Sequence, residues 1–198
     1  MPTIGLTGNF GMGKSAVLKM FGTMGVYTFN IDSFVHSILD KPAMIKRIVK
    51  VLGKSVLLKS SGKLSLNNKR VASMIFNDPE KRSAVEKIIH PEVLRLLKQA
   101  ESKILKKEPG AVIVFEVPLL YEAGYEKHFD KIVVVYSNRE NALKRLAGKG
   151  FSRDEAISRM KAQMPVNAKL KHSDYSINNN YSLARTEKRV KRILNEIK

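Results

Sequence analysis

A chain of 198 residues, 43% hydrophobic and 27% charged, is long enough to bury a full core and suits one compact domain with an insertion better than two independent domains. Its longest apolar runs, such as 111–115 and 132–136, are strand-length and far short of the ~20 residues a membrane helix needs, so a membrane-spanning protein is not expected. The net charge of +18 points on its own to nucleic acid, but its distribution argues otherwise. Residues 41–108 hold 17 Lys/Arg against 6 Asp/Glu, residues 139–172 hold 9 against 3, and the rest of the chain is nearly neutral. The sequence enters its first strand with no charged-then-apolar leader and holds no cysteine, so a cytoplasmic protein is expected.

The chain opens with Thr3-Ile4-Gly5-Leu6-Thr7, a short β-compatible run, followed by Gly8-Asn9-Phe10-Gly11-Met12-Gly13-Lys14-Ser15. These eight residues satisfy G-x-x-x-x-G-K-[ST] at every required position, and Val17, Met20, Phe21 and Met24 then recur at helical spacing. Strand, glycine loop and helix in that order form a phosphate cradle. Glycines let the backbone N–H groups of residues 9–13 turn inward, and the start of the helix, Lys14-Ser15-Ala16, adds its own donors. Asn9, Phe10, Gly11, Met12, Gly13, Lys14, Ser15 and Ala16 are therefore the expected ATP-binding residues. Lys14 is expected on the β- and γ-phosphates and the Ser15 hydroxyl on Mg²⁺.

Gly25 stops the first helix, and residues 26–31 read as a second strand ending at Asp32. A carboxylate just past a parallel strand lies on the ligand edge of the sheet. The alternative, that Asp32-Ser33 caps the helix carrying Phe34, Val35, Ile38 and Leu39, has equal weight from position alone. From Pro42 to Lys107 the signal is mostly helical, interrupted by a turn at Ser60-Ser61-Gly62-Lys63. Asp78-Pro79-Glu80 starts a helix that meets Pro91 just after His90. Residues 111–115 and 131–136 are apolar on both faces, as buried parallel strands are, and the first runs into Glu116-Val117-Pro118-Leu119-Leu120. A helix over 139–147 follows the second. Gly148-Lys149-Gly150 then breaks the pattern, and Ser152-Arg153-Asp154-Glu155 is a capping box for a helix reaching about Gln163. A basic segment flanked by glycines has the make-up of a lid. A short strand at 175–177, a turn at Asn178-Asn179-Asn180 and a closing helix through Val190, Ile193, Leu194 and Ile197 complete the chain.

Over nearly its full length the sequence resembles the dephospho-coenzyme A kinase family. The resemblance rests on Gly5-Leu6-Thr7-Gly8 with Gly11-Met12-Gly13-Lys14-Ser15, on Asp32, and on Ile75-Phe76-Asn77 with Pro79-Glu80-Lys81. His90-Pro91, Pro118-Leu119-Leu120 with Glu122, Arg159 with Gln163, and Asp174 with Asn179 follow in the family's order. It implies an α/β P-loop kinase fold, a five-stranded parallel sheet with helices on both faces, a helical acceptor-binding insertion and a helical lid. The implied division is a nucleotide-binding core of 1–40, 109–147 and 173–198, an insertion of 41–108 and a lid of 148–172.

The implied reaction is transfer of the ATP γ-phosphate, with Mg²⁺, to the ribose 3′-hydroxyl of dephospho-coenzyme A. Asp32, Lys14 and the lid's Lys149 take the catalytic positions. Asp32, His90, Pro118, Leu119, Leu120 and Glu122 take the acceptor positions, and Asn179 lies near the adenine. ATP and dephospho-coenzyme A are the expected partners, with no nucleic acid and no membrane, and with monomer and weak homo-oligomer both open. Five positions depart from the family's pattern: Asn30 for an aspartate, His36 for an arginine, Asn68 for an arginine, Lys149 for an arginine in a loop one residue short, and Tyr181 for a glycine. Another P-loop kinase of nucleoside monophosphates or small metabolites is the nearest rival. A non-catalytic nucleic-acid-binding protein is the more distant one, disfavoured by the intact Lys14-Ser15 pair and the absence of tryptophan.

Overall fold

The computed structural model describes residues 2–60 and 63–197. In chain order the elements are β1 (Thr3–Thr7), α1 (Lys14–Thr23), β2 (Tyr27–Asn30), α2 (Ile31–Leu39), α3 (Pro42–Leu52), β3 (Leu57–Ser60), β4 (Lys63–Leu66), α4 (Asn68–Asn77) and α5 (Pro79–Lys107). They continue as β5 (Ile113–Glu116), β6 (Lys131–Tyr136), α6 (Arg139–Ala147), α7 (Arg153–Lys161), α8 (Val166–Lys171), β7 (Tyr175–Asn178) and α9 (Leu183–Ile197). The chain divides into two compact units, Met1–Asn30 with Lys103–Lys198, and Ile31–Ser102. No described helix is long and apolar enough to cross a membrane.

The first unit is built on a parallel sheet of the expected five strands, ordered β2-β5-β1-β6-β7. Every residue of β1 and β5 is buried, which explains why β5 reads as a continuous apolar run rather than an alternating one. On one face, Ile4, Leu6, Val133, Val135 and Ile177 pack with Val17 and Phe21 of α1 and with Val190, Ile193 and Leu194 of α9. Complete burial of a side chain such as Phe21 contributes roughly 1.5–3 kcal/mol. On the other face, Phe115 stacks on Phe29 with ring centroids 5.1 Å apart and lies 6.0 Å from Phe129. Gly5 is required there: a Cβ would come within 2.6 Å of Leu120 and 2.9 Å of Phe129.

The second unit is where the sequence reading needs correction. Its expected helices are present, and the buried Ile45, Ile48 and Leu52 form one stripe of α3. Between α3 and α4, however, β3 and β4 form an antiparallel hairpin, pairing Leu57 with Leu66 and Leu58 with Ser65. Each strand has four residues in a lysine-rich stretch, too short for a period of two to stand out, and Leu58 and Leu64 are exposed, so no apolar face marks it. Of the turn expected at 60–63, Ser60 and Lys63 belong to these strands, and Ser61 and Gly62 lie outside the described residues.

The other difference is α5, which runs unbroken through Pro91. Proline there gives up one backbone hydrogen bond without ending the helix. Asp78 starts it as expected, its carboxylate accepting the amides of Glu80 (3.1 Å) and Lys81 (3.0 Å). In the first unit, α8 is a short helix that the sequence pattern did not mark.

Candidate active site

The phosphate loop lies between β1 and α1, and two of its glycines are dictated by space and dihedral angle. Gly8 has φ 147°, and a Cβ on it would strike the Val135 carbonyl. Gly13 caps α1 in the left-handed region at φ 92°, where a Cβ would strike the Asn179 side chain. No side chain caps α1, and the start of a helix favours an anion there. The Lys14 ammonium is buried and donates to the Gly8 carbonyl (2.9 Å) and the Asn9 carbonyl (3.3 Å), which holds the charge over the loop.

The Ser15 hydroxyl donates to Glu116 Oε1 at 3.2 Å. Glu116 ends β5, is buried, and accepts the Asn30 amide at Oε2 (3.3 Å), its register partner on β2. The sequence reading passed over Glu116, although it met the criterion applied to Asp32: a carboxylate at the carboxyl end of a parallel strand. The structure also gives Asn30 a positive role. An aspartate there would set a second negative charge against Glu116, whereas asparagine supplies a donor.

Side chains from elsewhere in the same unit fix the loop. Gln163 Oε1 accepts the Phe10 amide (2.7 Å), and the Asn9 side chain donates to the Met164 carbonyl (3.0 Å). Phe10 packs edge-on to Phe151 with centroids 5.1 Å apart, and the Arg159 guanidinium lies over both rings at 5.4 and 5.0 Å. The segment expected to be a lid is therefore attached to the loop at both the side-chain and the backbone level. On the other side, Asn179 donates to the Met12 carbonyl (3.0 Å) and accepts from Thr186 (3.2 Å). Arg145 bonds the Asn179 carbonyl and the Ser137 hydroxyl and lies 3.5 Å from the Gly11 carbonyl. Lys149, expected as the lid cation, is exposed; Arg145 is a further cation held at the loop, which the sequence reading did not single out.

The segment after β5 is organised by a lysine the sequence did not single out. Lys169 of α8 has 0% side-chain exposure and pairs with Glu122 at 2.8 Å; Glu122 also accepts the Met164 amide at 2.9 Å. Burial, with the nearby charges of Asp174 and Glu126, pushes the Tyr121 phenol up to about 12, so it stays a donor to the His172 carbonyl (2.9 Å). Of the expected acceptor residues here, Leu120 is wholly buried, Leu119 is 48% exposed and Pro118 lies between them. Leu120 and Glu122 thus anchor the turn that presents Pro118 and Leu119.

In the second unit, Asp32 is exposed in the first turn of α2, and the His36 ring donates from Nδ1 to its carbonyl (2.7 Å). His90 lies in α5 and is partly buried; Asn68, the first residue of α4, is exposed.

A model of the dephospho-CoA kinase family matches residues 2–185. The chain belongs to the dephospho-CoA kinase family. It is 36% identical to a dephospho-CoA kinase of Aquifex aeolicus over 100% of this chain and 98% of that one. It is 34% identical to one of Listeria monocytogenes over 95% and 93%. Among solved structures, a dephospho-CoA kinase from Campylobacter jejuni superposes with a TM-score of 0.69 at 29% identity, covering 98% of this chain and 96% of that one. A shikimate kinase from Acinetobacter baumannii, at TM-score 0.52 and 17% identity over 100% and 93%, shares the fold alone. As a member of the dephospho-CoA kinase family, the chain is an ATP-dependent phosphotransferase of the last step of coenzyme A biosynthesis.

Proposed function

We propose that the chain transfers the ATP γ-phosphate to the ribose 3′-hydroxyl of dephospho-coenzyme A, with Asp32 accepting the hydroxyl proton and Ser15 and Glu116 holding Mg²⁺. The observation that carries this reading is the Ser15–Glu116 hydrogen bond beside Lys14. It joins the hydroxyl of the phosphate loop to a buried carboxylate, next to the ammonium of Lys14 held on the loop carbonyls of Gly8 and Asn9.

Among the described residues no group of three His, Cys, Asp or Glu forms a metal cage. Magnesium does not need one. It is bound through one or two carboxylates, substrate phosphates and water, all hard oxygen donors, and the Ser15 hydroxyl with Glu116 is a donor set of that kind. When bound, Mg²⁺ supplies positive charge to the β- and γ-phosphate oxygens.

The chain's own residues supply the rest. Loop amides and Lys14 offset charge on the transferring group, and Arg145 keeps Asn179 on the loop. Asp32 follows two residues after Asn30, whose side chain is bonded to Glu116, so the chain leads directly from the donor site to the proposed base. As the O3′–phosphorus bond forms and the bond to the β–γ bridging oxygen breaks, the 3′-hydroxyl proton passes to the Asp32 carboxylate. Pro118, Leu119 and His90 keep the acceptor roles that the family's pattern gives these positions, and Lys149 brings a second cation on the lid. Phosphorus NMR of the product tests the assignment. A new monoester on the ribose 3′-oxygen is expected, and transfer to another oxygen would refute it.

A further inference from the structure

The closing helix carries a feature unused by the phosphate loop. Arg185, Lys188, Arg189 and Arg192 follow i, i+3, i+4, i+7 spacing and form one stripe of α9, about 10 Å long at 1.5 Å per residue. A different stripe, Val190, Ile193 and Leu194, is buried against the sheet. The cationic stripe, with Tyr136 and Tyr181, lines a groove of about 460 Å³ beside β7. That volume falls within the range of small-ligand sites. No residue of the phosphate loop lines it.

Among the described residues the four cations meet one carboxylate between them. The Arg185 guanidinium lies 3.9 Å over the Tyr181 ring. Arg189 Nε donates to the Ser176 carbonyl (3.1 Å), and its only carboxylate, Glu196, is 4.0 Å away. Lys188 and Arg192 make no ion pair among the described residues. Like charges at i, i+4 raise each other's energy, and an anion in the groove relieves that repulsion. A simpler account is that these charges keep β7, an edge strand, from pairing with another chain. Repulsion alone needs only mobile charges, however. Here two of the three guanidinium groups are fixed, Arg185 on a ring and Arg189 on a carbonyl, which is the preorganisation of a binding site. Tyr181, 52% exposed beneath Arg185, adds a flat surface suited to a heterocyclic base.

We propose that this groove is a second nucleotide site, taking a chain of two or more phosphates on Arg185, Lys188 and Arg192 and a base against Tyr181. It shares no lining residue with the phosphate loop yet is connected to it. Thr186, in the first turn of α9, donates to Asn179, whose amide holds the Met12 carbonyl of the phosphate loop.

Equilibrium dialysis with radiolabelled ADP tests this. The intact chain is expected to bind two ADP molecules. Lys14→Met is expected to keep the groove's ADP. The double variant Lys188→Glu/Arg192→Glu is expected to keep only the loop's ADP, which also shows that it is folded. Loss of two charge-assisted contacts weakens the second site by at least about tenfold. In Lys14→Met, inorganic tripolyphosphate is expected to displace the ADP only at about tenfold or greater excess, because it lacks a base. The proposal is overturned by a single ADP on the intact chain, or by a second ADP that survives the double variant. Equal displacement by tripolyphosphate, or preference for a short single-stranded oligonucleotide over ADP, also overturns it.

Discussion

The phosphate loop and the inserted unit handle charge in opposite ways. At the loop, one buried ammonium is fixed on two carbonyls, and the loop around it is bonded by Gln163, Asn9, Arg145 and Asn179. Residues 41–108 hold 17 lysines and arginines, most of them on helices and a hairpin, and the ion pairs Lys81–Asp78 and Arg95–Glu92 are short-range surface pairs at i, i+3. The first arrangement is preorganised and directs charge at particular atoms; the second is a field that attracts a polyanion without fixing it. Affinity for an anion is therefore cheap to supply with lysine, while catalysis depends on the few cations whose position is over-determined.

The largest effect is expected at the loop. Lys14→Met should lower kcat/KM for ATP by about 10³-fold, the upper range for losing one preorganised donor. Steady-state kinetics checks this, and a loss no greater than that from an exposed insertion lysine would erase the contrast. Next is Asp32→Asn, which should lower kcat by about 10²-fold, the low end for losing a general base, with ATP affinity unchanged. A parallel fall in ATP affinity would show Asp32 to be part of the donor site instead.

Third is the buried pair under the acceptor turn. Lys169→Met leaves Glu122 without its cation and should cost about 2 kcal/mol, less than the 3–5 of a wholly buried pair because Glu122 keeps 21% exposure. Thermal unfolding should show a drop of several degrees, and Lys169→Met/Glu122→Gln should recover part of it.

The smallest effect concerns Asp174. Burial raises its carboxyl, but the Lys131 hydrogen bond, the Ile132 amide and the Lys131 charge outweigh burial and hold it below the usual range. A carboxyl depressed on folding stabilises above its unfolded value of about 3.9 and loses that contribution as pH falls through the folded value. Asp174→Asn should therefore be less stable than the parent at neutral pH by an amount that shrinks below about pH 4. A difference that stays constant into acid would assign it to the Ile132 hydrogen bond alone.

The same contrast explains what could be read in the sequence. The phosphate loop was legible because its chemistry is written in eight consecutive residues, and the sheet because buried parallel strands are continuous apolar runs. Glu116 was not, because Ser15 lies 101 residues away and only the placement of β5 beside β1 brings them together. Lys169 read as one more basic residue of a charged segment; nothing local distinguishes a buried lysine from an exposed one. Arg145 was eclipsed by Lys149, whose flanking glycines gave a stronger local signal. The cations of α9 vanished into a segment average near neutrality, although their helical spacing was in plain view.

The most direct test of the account compares acceptors for one preformed donor site. With Mg-ATP, phosphate transfer to dephospho-coenzyme A, adenylate and shikimate should be measured side by side. The account predicts the highest kcat/KM for dephospho-coenzyme A. Faster turnover of another acceptor would contradict it, leaving only the phosphate loop and its kinase chemistry standing.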